Sequence, residues 1–298
     1  MKTLKTVLKN QPLTISSSTP TASWRATIRA KIKLEIEPEL KNYAFKDEDL
    51  IIVDYYLKNK NRYNELGYQY KLATHPYVYL YSVATTKSRY LAFKQQLQCH
   101  HHLFQQNLNW EELEKLSINN FKNSNFKKKL IQTHFKNFHS YQTKPSLYLQ
   151  GDFDTGKTYF FKLMSRYFLE QQQLFLFLFM PDLTRQFRTN WHEPHSEQKL
   201  DLLKNIPYLF LDDMGGENLT PYFRDEILLP LLNYRAEKGL AVFISSVLNL
   251  PQLIEHLKIN TEIKHEIKAL RIVNKLKKMC HFYGFDGDTE KEKNQYLP

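Results

Sequence analysis

Three runs in the second half of the chain, residues 174–180, 208–211 and 240–245, are apolar at almost every position. Runs this short with no polar alternation fit strands buried on both faces. A fourth short apolar run covers 147–149. Between these runs apolar residues recur at helical spacing, over 159–164, 183–191, 197–204 and 222–238, and again near 268–273. Strands alternating with helices predict βαβ units and a parallel sheet, an α/β fold with helices on both faces of the sheet. The first half is less regular. Trp24, Ile28, Ile32 and Leu34 suggest a helix over 24–40, residues 77–83 a strand, and 91–106 a polar helix or loop. Residues 109–114 read as a helix start, and a further helix is expected over 124–139. No internal repeat is present. The Ser/Thr-rich stretch around Ser16–Pro20 makes 1–23 read as a flexible arm. The expected organisation is that arm, a smaller mixed N-terminal domain over 24–110, an α/β domain over 111–285 and a tail over 286–298.

The run over 147–149 leads into Gly151, Asp152, Phe153, Asp154, Thr155, Gly156, Lys157 and Thr158, with Tyr159 opening a helix. This is G-x-x-x-x-G-K-T between a strand and a helix, the setting in which that pattern cradles phosphates. The loop turns its amides toward phosphate oxygens, and the helix N-terminus adds its positive dipole end. Lys157 would reach the β- and γ-phosphates of ATP, and Thr158 would offer a hydroxyl to Mg²⁺. About 55 residues further on, the run over 208–211 ends in Asp212 and Asp213. A phosphate-loop ATPase places its magnesium-holding carboxylate there, at the carboxyl edge of the sheet. Asp212 is expected to hold Mg²⁺ through water, and Asp213 to orient or deprotonate the attacking water. The next strand ends in Ser245 and Ser246, of which Ser246 is the candidate sensor of the γ-phosphate. Arg235 and Arg271 are candidates for phosphate contacts, since a permanent planar cation matches phosphate oxygens.

Composition adds one asymmetry. Residues 1–150 carry 23 Lys/Arg against 11 Asp/Glu, or +12, while 151–298 carry 19 against 20, or −1. A basic half implies an anionic partner, most simply nucleic acid. The rival reading is a solvated basic surface inflated by A/T-rich codons, since Lys, Asn, Tyr and Phe are all abundant. Basic-aromatic clusters at Lys87–Tyr90 and Lys127–Lys129 stand open to both readings. Two cysteines, Cys99 and Cys280, give no disulfide framework and fit a reducing compartment. The longest apolar run is too short to span a bilayer, and no apolar segment follows the basic N-terminus, so a cytoplasmic protein with no membrane partner is expected. Cys99–His102 cannot readily wrap one tetrahedral ion, so zinc is not expected.

Taken in order, GDFDTGKT, LFLDDMGGE, the segment from Arg224 to Leu228 through Tyr234–Arg235, VFISS and Lys268–Ile272 resemble the AAA+ ATPase domain of the DnaI/DnaC-type replicative helicase loaders, nearer the DnaI branch. The likeness covers about 113–285. It implies an AAA+ fold, self-association through the ATPase domain with hydrolysis across subunit interfaces, and delivery of a hexameric replicative DNA helicase onto single-stranded DNA during primosome assembly. It implies that Arg235 is the arginine finger and Arg271 the second sensor. Where the family carries Thr-Ser-Asn this chain has Ser245-Ser246-Val247, a departure that bears on the rate of hydrolysis. The N-terminal region of DnaI-type loaders resembles a zinc-binding, helicase-contacting module, and here that region has one cysteine. Two other readings share the nucleotide site: a transposition-helper or initiator ATPase, and a nucleotide-gated adaptor with little turnover. A small-molecule kinase lacks any separate acceptor signature.

Overall fold

The computed structural model describes residues 21–106, 108–117, 146–189 and 196–285. The tail over 286–298, most of the expected arm, the helix expected over 124–139 and the cluster Lys127–Lys129 lie outside them. The chain divides into two compact units, with the boundary between Leu91 and Ala92.

In the first unit, helix α1 (Ala22–Glu35) starts at Thr21, whose hydroxyl accepts from the Trp24 amide at 3.2 Å. The helix stops short of residue 40 because Pro38 disfavours helical geometry at the residue before it and opens a separate 3₁₀ turn. Helix α2 (Leu50–Asn59) follows, then an antiparallel hairpin of β1 (Gln69–Ala73) and β2 (Tyr79–Val83), paired from Gln69↔Val83 to Ala73↔Tyr79. Ile28 and Ile32 on one stripe of α1 pack with Val53, Tyr56, Leu72 and Val78 into a small core. Helix α3 (Thr86–Leu103) begins here and runs on into the second unit.

The second unit contains α4 (Trp110–Lys115), β3 (Ser146–Gln150), α5 (Lys157–Glu170), β4 (Phe175–Phe179), α6 (Met180–Thr189), α7 (Ser196–Asn205), β5 (Tyr208–Asp212), α8 (Leu229–Lys238), β6 (Ala241–Ser246), α9 (Leu250–Lys258), α10 (Ile263–Met279) and β7 (Cys280–Gly284). The strands form one parallel sheet in the order β4-β5-β6-β3-β7. Residue size sorts its two faces. Phe175, Phe177, Phe210 and Phe243 point to one side, in a web of ring contacts with Phe161 and Phe168 of α5; Phe168 stacks on Tyr208 at 4.0 Å and Phe210 on Phe243 at 4.6 Å. Leu176, Leu178, Leu209, Leu211, Val242 and Ile244 point to the other side and pack with α6 to α10. Each buried ring or branched chain contributes about 1.5–3 kcal/mol, which is why these strands carry no polar position until their carboxyl ends.

The helix expected over 222–238 opens as a wide π turn, Phe223–Leu228, before α8. Pro230 has no N–H for the carbonyl four residues back and would crowd it, and the wider turn relieves that clash.

Candidate active site

Strand β3 releases the chain into a tight loop that ends at α5. Gly151 is required at its start. A Cβ there would lie 2.5 Å from the Phe285 carbonyl oxygen, because the Phe285 amide donates to Gln150 O and brings that strand end close. Asp154 adopts φ 58°, in the left-handed region, although it is not a glycine. Gly156 begins α5 without any side-chain cap, so the positive end of the helix dipole opens on the loop. Lys157 is buried, and its Nζ donates to Gly151 O at 2.8 Å and Asp152 O at 2.6 Å. Thr155 closes the turn by donating to Asp152 O at 2.9 Å. An open cleft of about 430 Å³ lies over the loop, lined by Phe153, Asp154, Gly156, Lys157, Thr158, Tyr159 and Lys162. The motif spacing does not single out Lys162, although it lies one helical turn beyond Thr158 and so shares its face.

The two halves of the motif meet directly. Thr158 Oγ1 donates to Asp212 Oδ2 at 2.9 Å, Ser245 Oγ donates to Asp212 Oδ1 at 2.6 Å, and the Asp213 amide donates to Ser245 Oγ at 2.9 Å. Burial pushes the Asp212 carboxyl above its ordinary range and the neighbouring Asp213 charge adds to this, while the two hydroxyls and Lys157 oppose it. A hard cation beside this carboxylate would restore its charged form. A hydroxyl and a carboxylate oxygen side by side suit Mg²⁺, which takes oxygen donors and shares them with phosphates. Asp213 sits at φ 61°, and its carboxylate lies against residue 216 so closely that a Cβ there would be 2.4 Å from Oδ2. Glu217 anchors the same loop. Its buried carboxylate accepts from the Gly215 amide at 2.7 Å and pairs with His256 Nε2 at 2.9 Å.

Three candidates stand elsewhere than expected. Ser246 is fully buried; it donates to Met214 O at 2.5 Å and accepts from the Leu248 amide. Side chains alternate along a strand, and one step past the pair Leu211↔Ile244 it is Ser245 that meets Asp212. Arg235 is fully buried, so it cannot reach a neighbour's phosphate from here. Its guanidinium donates to the carbonyls of Leu203, Lys204 and Ile206, and to those of Pro207 and Ala241. It closes the carboxyl end of α7, where exposed carbonyls and the negative dipole end favour a cation. Burial lowers its pKa to about 9. Arg224 is equally buried, forked onto Asp225 and bonded to Leu257 O, a second arginine spent on the fold. Arg271 is exposed on α10 and is not among the residues lining the cleft.

In the Cys99–His102 run, both nitrogens of His101 are engaged: Nδ1 with Leu97 O at 2.8 Å and Nε2 as acceptor from the Phe177 amide at 3.1 Å. The second bond satisfies a backbone donor of β4, the edge strand of the sheet. Among the described residues no group of three His, Cys, Asp or Glu side chains could hold a metal ion, and no helix is long and apolar enough to cross a membrane.

No family model matches the chain. The replicative helicase loader DnaI of Bacillus subtilis (strain 168) is 28% identical over 146 residues, 49% of this chain and 47% of that protein. The chain thus spans about half the length of that curated relative. A crystal structure of DnaI superimposes with a TM-score of 0.51 at 25% identity, covering 58% of this chain and 93% of the other. A crystal structure of the DnaC helicase loader reaches a TM-score of 0.42 at 21% identity, over 54% and 88% of the two chains, too distant to carry weight. The α/β fold is of the AAA+ type, and the resemblance to DnaI/DnaC-type helicase loaders that the motifs carry stands on the two DnaI matches.

Proposed function

We propose that this DnaI-like chain is an ATP-dependent helicase loader. It binds and hydrolyses ATP over Lys157 and uses the nucleotide state to govern delivery of a hexameric replicative helicase onto single-stranded DNA, during primosome assembly in the cytoplasm. The observation that supports this most is the continuous set Lys157, Thr158, Asp212 and Ser245 on a DnaI-like fold.

The chemistry follows from the residues. Lys157 exchanges the carbonyls of Gly151 and Asp152 for phosphate oxygens, and the first-turn amides of α5 add to the cradle. Thr158 and Asp212 would hold Mg²⁺, which supplies charge neutralisation along the phosphates. Asp213 orients water for in-line attack and takes its proton as the bond from the γ-phosphorus to the departing ADP oxygen breaks. Ser245 fixes both aspartates, through the carboxylate of one and the amide of the other. Of the two candidate arginines only Arg271 is exposed, so although it lies outside the cleft lining it is the one available to contact nucleotide. Self-association through the ATPase unit must recruit some arginine other than Arg235.

Capture of the host's replicative helicase by the full chain, with and without ATP, tests the reading. Nucleotide-dependent capture that Lys157→Ala abolishes is the expected result, and no capture under either condition refutes it. A second reading, a nucleotide-gated adaptor with little turnover, is favoured by one observation: Ser246 is turned away and Val247 has no side-chain amide, so no sensor side chain beyond Ser245 stands at the end of β6. The adaptor requires Asp213→Asn to leave cellular function intact, and the loader requires it to fail.

A further inference from the structure

The β1–β2 hairpin sends Leu72 and Leu80 into the core of the first unit, so the alternate positions form an outward face. That face carries Tyr79 and Tyr81 on β2, with Lys71 directly opposite Tyr81. Tyr77 continues the row beyond the strand. Tyr63 extends it sideways through its bridge to Gln69, and Lys87 lies over the Tyr63 ring at 5.5 Å. Tyr77 is 68% exposed, Tyr63 54% and Tyr81 45%. Neighbouring rings in the row lie 5.5 and 6.2 Å apart at tilts of 57° and 50°. Rings so disposed are tilted and not stacked on one another, and all of them are partly exposed to solvent.

We propose that this tyrosine row, flanked by Lys71 and Lys87, is a platform for single-stranded nucleic acid. Stacking on successive aromatic rings beside a cationic track is how unpaired strands are held without regard to sequence. Strand residues two apart repeat about every 6.7 Å, which offers one ring to each nucleotide of an extended strand. The composition favours this partner over a protein. Protein interfaces deplete lysine from their centres, whereas here lysines lie within the aromatic row and Val83 is the one branched aliphatic among the paired outward positions. Charge agrees, since residues 21–91 carry 12 Lys/Arg against 8 Asp/Glu. The assignment stands on the geometry and charge of the first unit and does not rest on the loader reading.

The test uses the full chain and fluorescently labelled oligo(dT) of 25 nucleotides, followed by anisotropy without nucleotide. The expected result is salt-dependent binding to the single strand with a clear preference over a duplex of equal length. Tyr79→Ala combined with Tyr81→Ala should weaken binding about tenfold or more. The double Phe variant, which keeps the rings, should stay within about twofold of the parent. Lys71→Ala and Lys87→Ala should each reduce the slope of affinity against salt by about one unit. The proposal is overturned if the parent does not bind oligo(dT), or if the double Ala variant binds as the parent does. It is also overturned if that variant keeps its affinity for oligo(dT) but no longer captures helicase, which would make the face a protein dock. Failure of helicase capture by the parent chain would count against the loader reading and leave this one untouched.

Discussion

Replacing Arg235 by alanine separates a fold-holding role from a catalytic one. In the structure its two terminal nitrogens serve five carbonyls, at 2.7 Å to Leu203, 3.2 Å to Lys204, 2.7 Å to Ile206, 3.0 Å to Pro207 and 2.6 Å to Ala241. Hydrogen bonds to a charged donor contribute about 1.5–3 kcal/mol each. Against them stands the cost of burying the cation, seen in a pKa lowered to about 9. A fall of that size corresponds to about 5 kcal/mol, at roughly 1.4 kcal/mol per unit. The lowered value still lies above neutrality, so the guanidinium stays charged there and depends on its carbonyl acceptors. Alanine strands several carbonyls in a dry interior. Each buried carbonyl left without its donor costs about 1–3 kcal/mol, so losing several takes a large share of the roughly 5–15 kcal/mol that holds a domain together.

Urea unfolding followed by circular dichroism measures this directly. Arg235→Ala should lower the midpoint at unchanged slope, and lower the thermal midpoint by about 10 °C for a unit of this size. Arg235→Lys should recover little, because one ammonium cannot span carbonyls on α7, on the turn after it and on β6. A trans-acting finger makes the opposite prediction: a folded, normally stable protein that binds ATP and has lost turnover. An unchanged midpoint with abolished hydrolysis would refute the clamp.

Other outcomes follow from the same geometry. Asp154→Gly should tighten nucleotide binding severalfold to about tenfold, by relieving a left-handed non-glycine backbone and removing a carboxylate from the phosphate cleft; isothermal titration with Mg-ATP reads it, and Asp154→Asn isolates the charge. Ser245→Ala should lower ATP turnover by about tenfold or more, whereas Ser246→Ala should chiefly lower stability, by about 1 kcal/mol. His101 has a folded pKa lowered to about 4 by burial, against about 6.5 when unfolded. The unfolded chain therefore binds the extra proton between those values, so stability is held above pH 6.5 and falls on acidification, by about 3 kcal/mol at pH 4; His101→Gln should flatten that part of the unfolding profile. Gly216→Ala should impair turnover, since the new methyl would displace the Asp213 carboxylate, and a variant with parental kinetics would rule out that placement.

What the sequence revealed, and what it hid, follows from range. The phosphate loop, the Asp212–Asp213 strand end and four of the five sheet strands were legible because each is a local pattern: a glycine spacing, or an apolar run with an abrupt polar stop. Strand β7 was missed because His281 and Tyr283 interrupt its apolar pattern. The hairpin strand β1 was missed because Gln69 and Lys71 make it look like loop, and its pairing with β2 is what rescues it. The differences at the site between expectation and structure come from the same limit of range. Choosing between Ser245 and Ser246 requires the phase of β6 against β5, and a one-residue shift reverses every side chain on a strand. Judging Arg235 requires knowing that the turn after α7 folds back over it, a contact some 30 residues away that no local window contains. Local chemistry marked the groups able to act, whereas only the packed sheet decided which of them face the cleft. For the same reason the tyrosine row escaped notice. In sequence Tyr77, Tyr79 and Tyr81 are an aromatic strand, and only when Leu72 and Leu80 claim the inner face do those rings become a surface waiting for a partner.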